Sequence, residues 1–216
     1  QPMQNADACI SLNGELFSFH KDKKRLSAKG ADFRTRSDTE LFLTGIFLEG
    51  RSFLEQADAQ FSLAFYQKRA HSLLLARDRS GIAPLFYAQA DGWLLFASEV
   101  KAIFASGMVK PRLNHIPIDH FLTTLALAPG ETCFEGTASL RPGQSLTVNA
   151  GRIETFDSPR AHRSVEMPYN VNSRESVDSL ESLLLDSVAR RLEADAWVCL
   201  YLSGGVDSSL IAALAA

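Results

Sequence analysis

The sequence predicts two units of different class: an α+β domain built on antiparallel strands, then the opening of an α/β domain with a parallel sheet. Three observations carry this reading. Short apolar runs at Phe61–Gln67, His71–Arg77, Leu85–Gln89 and Trp93–Ala97 are separated by turn residues, the pattern of an antiparallel meander. Ser37-Asp38-Thr39-Glu40 has capping-box spacing ahead of Leu41, Phe42 and Ile46, with Gly50 as a stop. From Glu175 onward come a helical stripe, a compact apolar run, a Gly-rich turn and a second helical run.

The remaining elements follow in chain order. Ala8–Asn13 and Glu15–His20 flank Asn13-Gly14, and that dipeptide between apolar-rich runs predicts a hairpin. Ser98 is expected to cap a short helix through Phe104. A helix over Pro117–Leu127 lies between Pro- and Gly-marked loops. Thr132–Phe156 reads as further strand, with Arg141-Pro142-Gly143 and Ala150-Gly151 as turns. Pro159, His162 and Pro168 fall in a polar stretch without periodicity, which predicts a linker over residues 157–174 between domains at 1–156 and 175–216. In the second domain Val177, Leu180, Leu184, Val188 and Leu192 form one helical stripe. Trp197–Leu202 reads as a buried strand, and the chain is helical again from Asp207.

With 46% apolar and 22% charged residues, the 216-residue chain has the composition of a globular protein able to bury a core. A net charge of −3 argues against a nucleic-acid partner, and no apolar run reaches membrane-spanning length. Cys9, Cys133 and Cys199 are widely spaced and sit beside apolar residues, so buried free thiols and a reducing cytoplasm are expected. Gln1 is not an initiator and Leu210–Ala216 stops within a helical run, which suggests an internal piece of a longer protein, cut at both ends.

Ser203-Gly204-Gly205-Val206-Asp207-Ser208-Ser209 joins the predicted strand to the last helix. Adjacent glycines allow a tight turn and close approach of the backbone to a ligand. Successive N–H groups and the helix start then favour an anion, and the serine hydroxyls add donors without bulk. No lysine follows, so this is not a Walker-type loop. Asp207 would repel phosphate unless a divalent cation intervened, which points to Mg²⁺. The string resembles the pyrophosphate loop of the ATP pyrophosphatase superfamily. The resemblance implies ATP on Leu202, Ser203, Gly204, Gly205, Asp207, Ser208 and Ser209, with Mg²⁺ on Asp207.

Upstream, Asn13-Gly14-Glu15, Arg34-Thr35-Arg36-Ser37-Asp38-Thr39-Glu40, Ala76-Arg77-Asp78-Arg79, Pro84-Leu85-Phe86-Tyr87 and Phe96-Ala97-Ser98-Glu99 stand in one order. With Phe134-Glu135-Gly136 and Leu140-Arg141-Pro142-Gly143, they resemble the class II glutamine amidotransferase domain of glutamine-hydrolysing asparagine synthetases. The resemblance implies an N-terminal nucleophile hydrolase fold, a four-layer αββα arrangement. It implies Asn13 and Gly14 as the oxyanion hole, and Asn13, Gly14, Glu15 and Asp38 around a bound glutamine. It also implies glutamine, ATP and aspartate as small-molecule partners, with a homodimer as an open option. Read without the family, Asn13-Gly14 is a hairpin turn, Asp38 a first-turn acid, and Arg77-Asp78-Arg79 a solvated run. The family's nucleophile is the first residue of the mature chain, a cysteine; Cys9 lies in the run before Asn13 and does not match it. Two alternatives stand beside this reading: a β-lactam synthetase-like enzyme without that cysteine or another tailoring amidotransferase with a different acceptor, and a piece inactive by itself.

Overall fold

The first extended segment is a continuous strand and not a hairpin in the computed structural model, which describes residues 1–158, 174–194 and 197–216. It splits into two units at about residue 163, and each is described by itself.

In the first unit, β1 (Met3–Gln4), β2 (Ala8–Leu16), β3 (Ala59–Gln67), β4 (Ser72–Arg77), β8 (Gln144–Asn149) and β9 (Arg152–Asp157) form a six-stranded antiparallel sheet in that order. A three-stranded sheet holds β6 (Trp93–Ala97), β5 (Phe86–Ala90) and β7 (Thr137–Ser139). The expected strands over Phe61–Ala97 are therefore present, but they divide between two sheets and do not run on as one meander. The turns expected at Arg141–Gly143 and Ala150–Gly151 lead into β8 and from β8 to β9.

Helix α2 (Asp38–Glu49) begins where its cap predicts: the Ser37 hydroxyl accepts the Thr39 N–H at 3.2 Å. Glu40 does not close the capping box on Ser37. It reaches the preceding loop and accepts the N–H groups of Arg34 at 2.9 Å and Thr35 at 2.7 Å. Gly50 ends α2, and α3 (Arg51–Gln56) follows at once.

Helix α1 (Phe19–Ser27) replaces the extended run expected through His20. Its sequence is too charged to show an apolar stripe, and ion pairs hold it instead. Asp22, 3% exposed, accepts from Arg25, and Arg25 and Lys29 both reach Glu49 of α2.

Two cores follow from strand alternation. Ile10 and Leu12 of β2 and Leu63 and Phe65 of β3 face the helices, where Leu26, Phe42 and Phe53 meet them. Ala64, Leu75 and Leu146 face the other way, against Leu85, Leu140 and partly buried Tyr87 and Leu94 at the small sheet. Helix α4 (Val100–Ala105) contacts β5 and β6. Its N-cap is Glu99, not Ser98. Helix α5 (His115–Thr124) is shifted slightly from its expected range and is largely exposed.

In the second unit, α6 (Arg174–Leu192) and α7 (Val206–Ala215) pack on each other. Trp197–Leu202 forms no strand, and Trp197 and Tyr201 are fully exposed. A parallel strand needs a neighbour on which to build its ladder, and the described residues of this unit supply none. The same exposure corrects the reading of Cys199 as buried; Cys9 and Cys133 are half-buried, and all three thiols are free. Apart from its ends, the expected linker lies outside the described residues. Among the described residues, no helix is long and apolar enough to cross a membrane.

Candidate functional site

Asn13, Gly14 and Glu15 lie in the C-terminal half of β2, opposite Ser62, Phe61 and Gln60 of β3. Gly14 is there for lateral space and not for a turn. A Cβ on it would fall 2.3 Å from the Gln60 carbonyl oxygen and 2.7 Å from Phe61 Cα. Phe61 turns both its backbone groups away from β2: its N–H reaches Asp78 Oδ2 at 3.4 Å, and its carbonyl accepts the Asp78 N–H at 2.8 Å. Antiparallel alternation then aims the Gly14 N–H at the outer edge of β2. Its neighbours on that edge are closed. The Gln1 side-chain amide bonds both backbone groups of Leu12 at 2.6 Å, and the Leu16 N–H donates to Asp38 Oδ2 at 3.0 Å.

That last bond brings Asp38, in the first turn of α2, to the strand end that carries Glu15. Asp38 is delivered by the loop that Glu40 holds. Burial alone would push the Glu40 carboxyl up, but the Thr35 hydroxyl and the Arg34 and Thr35 N–H groups outweigh it and hold the carboxyl below its usual range. Glu15 is half-buried, with no hydrogen bond to its carboxylate among the described residues. Asn13 points to the face opposite Leu12, into a cleft of about 240 Å³ lined by Ser11, Ser62, Phe96, Ala97 and Ser98. The structure therefore gathers Asn13, Gly14, Glu15 and Asp38 at one end of one strand. Cys9 sits four residues earlier on β2, roughly 13 Å away at strand rise, and does not reach this end.

Sequence reasoning passed over Arg77 and Asp78. Asp78 is 2% exposed and far from a solvated charge. It accepts the N–H groups of Ser80 and Ile82 on Oδ1 and those of Phe61 and Ala83 on Oδ2. It thereby sets the direction of Phe61 and, through the pairing, that of Gly14. Arg77 donates to the carbonyls of Gly81, Ala83 and Leu140, tying the same loop to the small sheet, and burial lowers its pKa. Asp78-Arg79-Ser80-Gly81 carried the usable signal, since an aspartate two residues before serine favours a side-chain-to-backbone turn.

In the second unit, the loop from Ser203 enters α7 through Gly205, its N-cap residue. Gly204 has φ +81°, a conformation costly for any residue with a Cβ. The Ser203 and Ser208 hydroxyls lie 2.9 Å apart across the turn. A Cβ on Gly205 would make only ordinary contacts, 3.6 Å to Ser203 Oγ and 4.0 Å to Ser208 Oγ, so the fold does not itself demand glycine there. Asp207 is exposed in the first turn of α7. No group of three His, Cys, Asp or Glu among the described residues could hold a metal unaided.

Comparison with known proteins matches residues 1–158 to a glutamine amidotransferase domain model and residues 179–216 to an asparagine synthase model. A Bacillus subtilis (strain 168) protein named asparagine synthetase [glutamine-hydrolyzing] 3 is 33% identical over 96% of this chain and 33% of its own length. Amidase chyE of Penicillium rubens is 29% identical over 100% of this chain and 32% of its own length. The chain spans about a third of the length of the curated relatives it matches. Glutamine phosphoribosylpyrophosphate amidotransferase from B. subtilis superposes with a TM-score of 0.53 at 16% identity, over 100% of this chain and 46% of its own. A second solved structure, described as the allosteric regulatory enzyme of purine biosynthesis, gives 0.54 at 16% identity, over 100% and 45%. At that identity the likeness concerns the fold, which is the expected N-terminal nucleophile hydrolase arrangement.

Proposed function

The chain belongs to the glutamine amidotransferase domain family over residues 1–158, and from that premise we propose that it serves a ligase moving glutamine-derived ammonia onto an adenylated carboxylate. The observation that carries the reading is the outer edge of β2. The Gly14 N–H lies between two closed positions, and Asp38 is bonded to the next one along. Glutamine fits with its side-chain carbonyl at the Gly14 N–H and the Asn13 amide and its α-ammonium at Glu15 and Asp38. The bond from the Leu16 N–H, next to Glu15 in sequence order along β2, fixes the Asp38 carboxylate at this strand end.

The acceptor we propose is aspartate, in keeping with the names of the relatives. ATP would lie on Leu202, Ser203, Gly204, Gly205, Asp207, Ser208 and Ser209, and the asparagine synthase match over 179–216 supports this. One exposed carboxylate beside a hydroxyl pair suits Mg²⁺ held mainly by phosphate oxygens and water. Asp207 would contribute the protein ligand, and the ion would supply charge neutralisation along the phosphates.

Two assays on the full-length protein test the reading. Asn13→Ala should lower kcat for glutamate release by roughly 10²–10³, while Asp38→Ala should mainly raise KM. Gly205→Val should leave the fold intact and abolish aspartate-dependent ATP–pyrophosphate exchange, because its side chain would occupy the place of the phosphates. Glutamate release indifferent to Asn13→Ala overturns the oxyanion assignment, and unchanged exchange in Gly205→Val overturns the ATP assignment.

A further inference from the structure

The helix-facing side of the six-stranded sheet carries a second cavity, of about 180 Å³, between α3 and the β8–β9 hairpin. Phe61 and Ala76, which line it, belong to the core under the helices, so it lies across the sheet from the cleft of Asn13. Leu54, Ala57 and Phe156 extend its apolar floor.

Four polar groups at this cavity are uncommitted. Ser145 is only 8% exposed, yet its hydroxyl has no hydrogen bond among the described residues. The Ser158 hydroxyl is buried and likewise has no partner. A buried hydroxyl is normally satisfied, so the unpartnered one of Ser158 calls for a reason. Arg51 stands over Phe156, 3.6 Å from the ring centroid, and makes no hydrogen bond or ion pair among the described residues. Arg79 is exposed and also has neither among them. The other charges are engaged. Arg77 is held by backbone carbonyls, Asp157 by Arg141 and Gln144, and Glu55 has an interaction of its own. What remains is positive charge and hydroxyl donors over an apolar floor.

We propose that this cavity binds a small monocarboxylate with an apolar body, its carboxylate held by Arg51, Arg79 and the serine hydroxyls. Guanidinium groups match carboxylates in a way a neutral ligand cannot exploit. The apolar floor favours such a ligand over a bare inorganic anion. An enclosed apolar cavity of about 150 Å³ admits benzene, so benzoate is a probe of suitable size.

The test is calorimetric titration of the whole chain with benzoate, benzyl alcohol and inorganic phosphate. Benzoate is expected to bind, with benzyl alcohol and phosphate weaker by about tenfold or more. Arg51→Ala and Arg79→Ala, at exposed positions, should each weaken benzoate by roughly fivefold or more while circular dichroism stays unchanged. Ala59→Leu, which fills the cavity from its lining, should abolish binding of benzoate. Saturating glutamine should leave the benzoate affinity unchanged. The proposal is overturned if benzoate fails to bind at about 10 mM, if benzyl alcohol or phosphate binds as tightly, if the arginine variants bind normally, or if glutamine displaces benzoate.

Discussion

Replacing Gly14 with alanine tests the structural basis of the candidate site. The added Cβ would lie 2.3 Å from the Gln60 carbonyl oxygen, 2.7 Å from Phe61 Cα and 2.7 Å from Phe61 Cβ. These atoms are backbone or fixed to it, so no rotamer change relieves the contact. Gly14 and Phe61 form the close, non-hydrogen-bonded kind of antiparallel pair, and only parting β2 from β3 makes room. Overpacking of this kind costs about 1–3 kcal/mol, and backbone contacts this short place Gly14→Ala near the top of that range, about 3 kcal/mol. For a chain of this size that corresponds to a Tm lower by roughly 6–12 °C. Gly107→Ala is the control. It has φ +75° with nothing within 4 Å, so it should lose only the left-handed strain of about 1–2 kcal/mol. Urea unfolding followed by circular dichroism measures both. If Gly14→Ala is no less stable than Gly107→Ala, the close-approach argument fails, and with it the account of why glycine stands beside Asn13.

Two further outcomes follow. Asp78→Ala removes the acceptor of four N–H groups from a site 2% exposed, so it should cost about 4 kcal/mol or prevent folding; a loss under about 1 kcal/mol in urea unfolding would show that water replaces the carboxylate. Burial alone would raise the Glu49 carboxyl, but hydrogen bonds from Arg25 and Lys29 outweigh it and its pKa lies below the usual value. A depressed folded pKa means stability that is present above the unfolded value of about 4.3 and lost as pH falls through the folded one. Between about pH 5 and pH 3 the wild type should therefore lose more Tm than Glu49→Gln, and parallel Tm curves would refute the linkage.

The elements legible in the sequence are those stabilised locally. Ser37 and Gly50 mark the ends of α2 because a cap and a stop act within a few residues. The Ala150-Gly151 turn works the same way. What stayed hidden depends on distant partners. Helix α1 rests on Arg25 and Lys29 reaching Glu49 across to α2, and no periodicity records such pairs. The split into two sheets is equally non-local. β4 pairs with β8, some seventy residues on, while β5 turns into the other sheet after a loop organised by a buried aspartate. Trp197–Leu202 shows the converse. Its apolar run predicts a strand, but apolarity supplies a reason for burial and not a partner for the ladder.

The candidate site divides along the same line. Asn13-Gly14 has two physical meanings in a sequence. One is a turn that needs positive φ; the other is a strand position where a neighbouring backbone comes too close for a Cβ. Local pattern favours the first. Only the register that sets Gly14 against Phe61 selects the second, and the Phe61 backbone is held by Asp78, sixty-four residues beyond Gly14. The motif resemblance selected the same residues without that register, because it compares strings and needs no geometry. It could not supply the reason Asp38 belongs with them. That reason is one hydrogen bond, from the Leu16 N–H to Asp38 Oδ2, which joins the start of α2 to the end of β2. Glycine at 14 and aspartate at 38 therefore serve one strand end by different means: the first leaves room for β3, and the second closes the edge beside the Gly14 N–H.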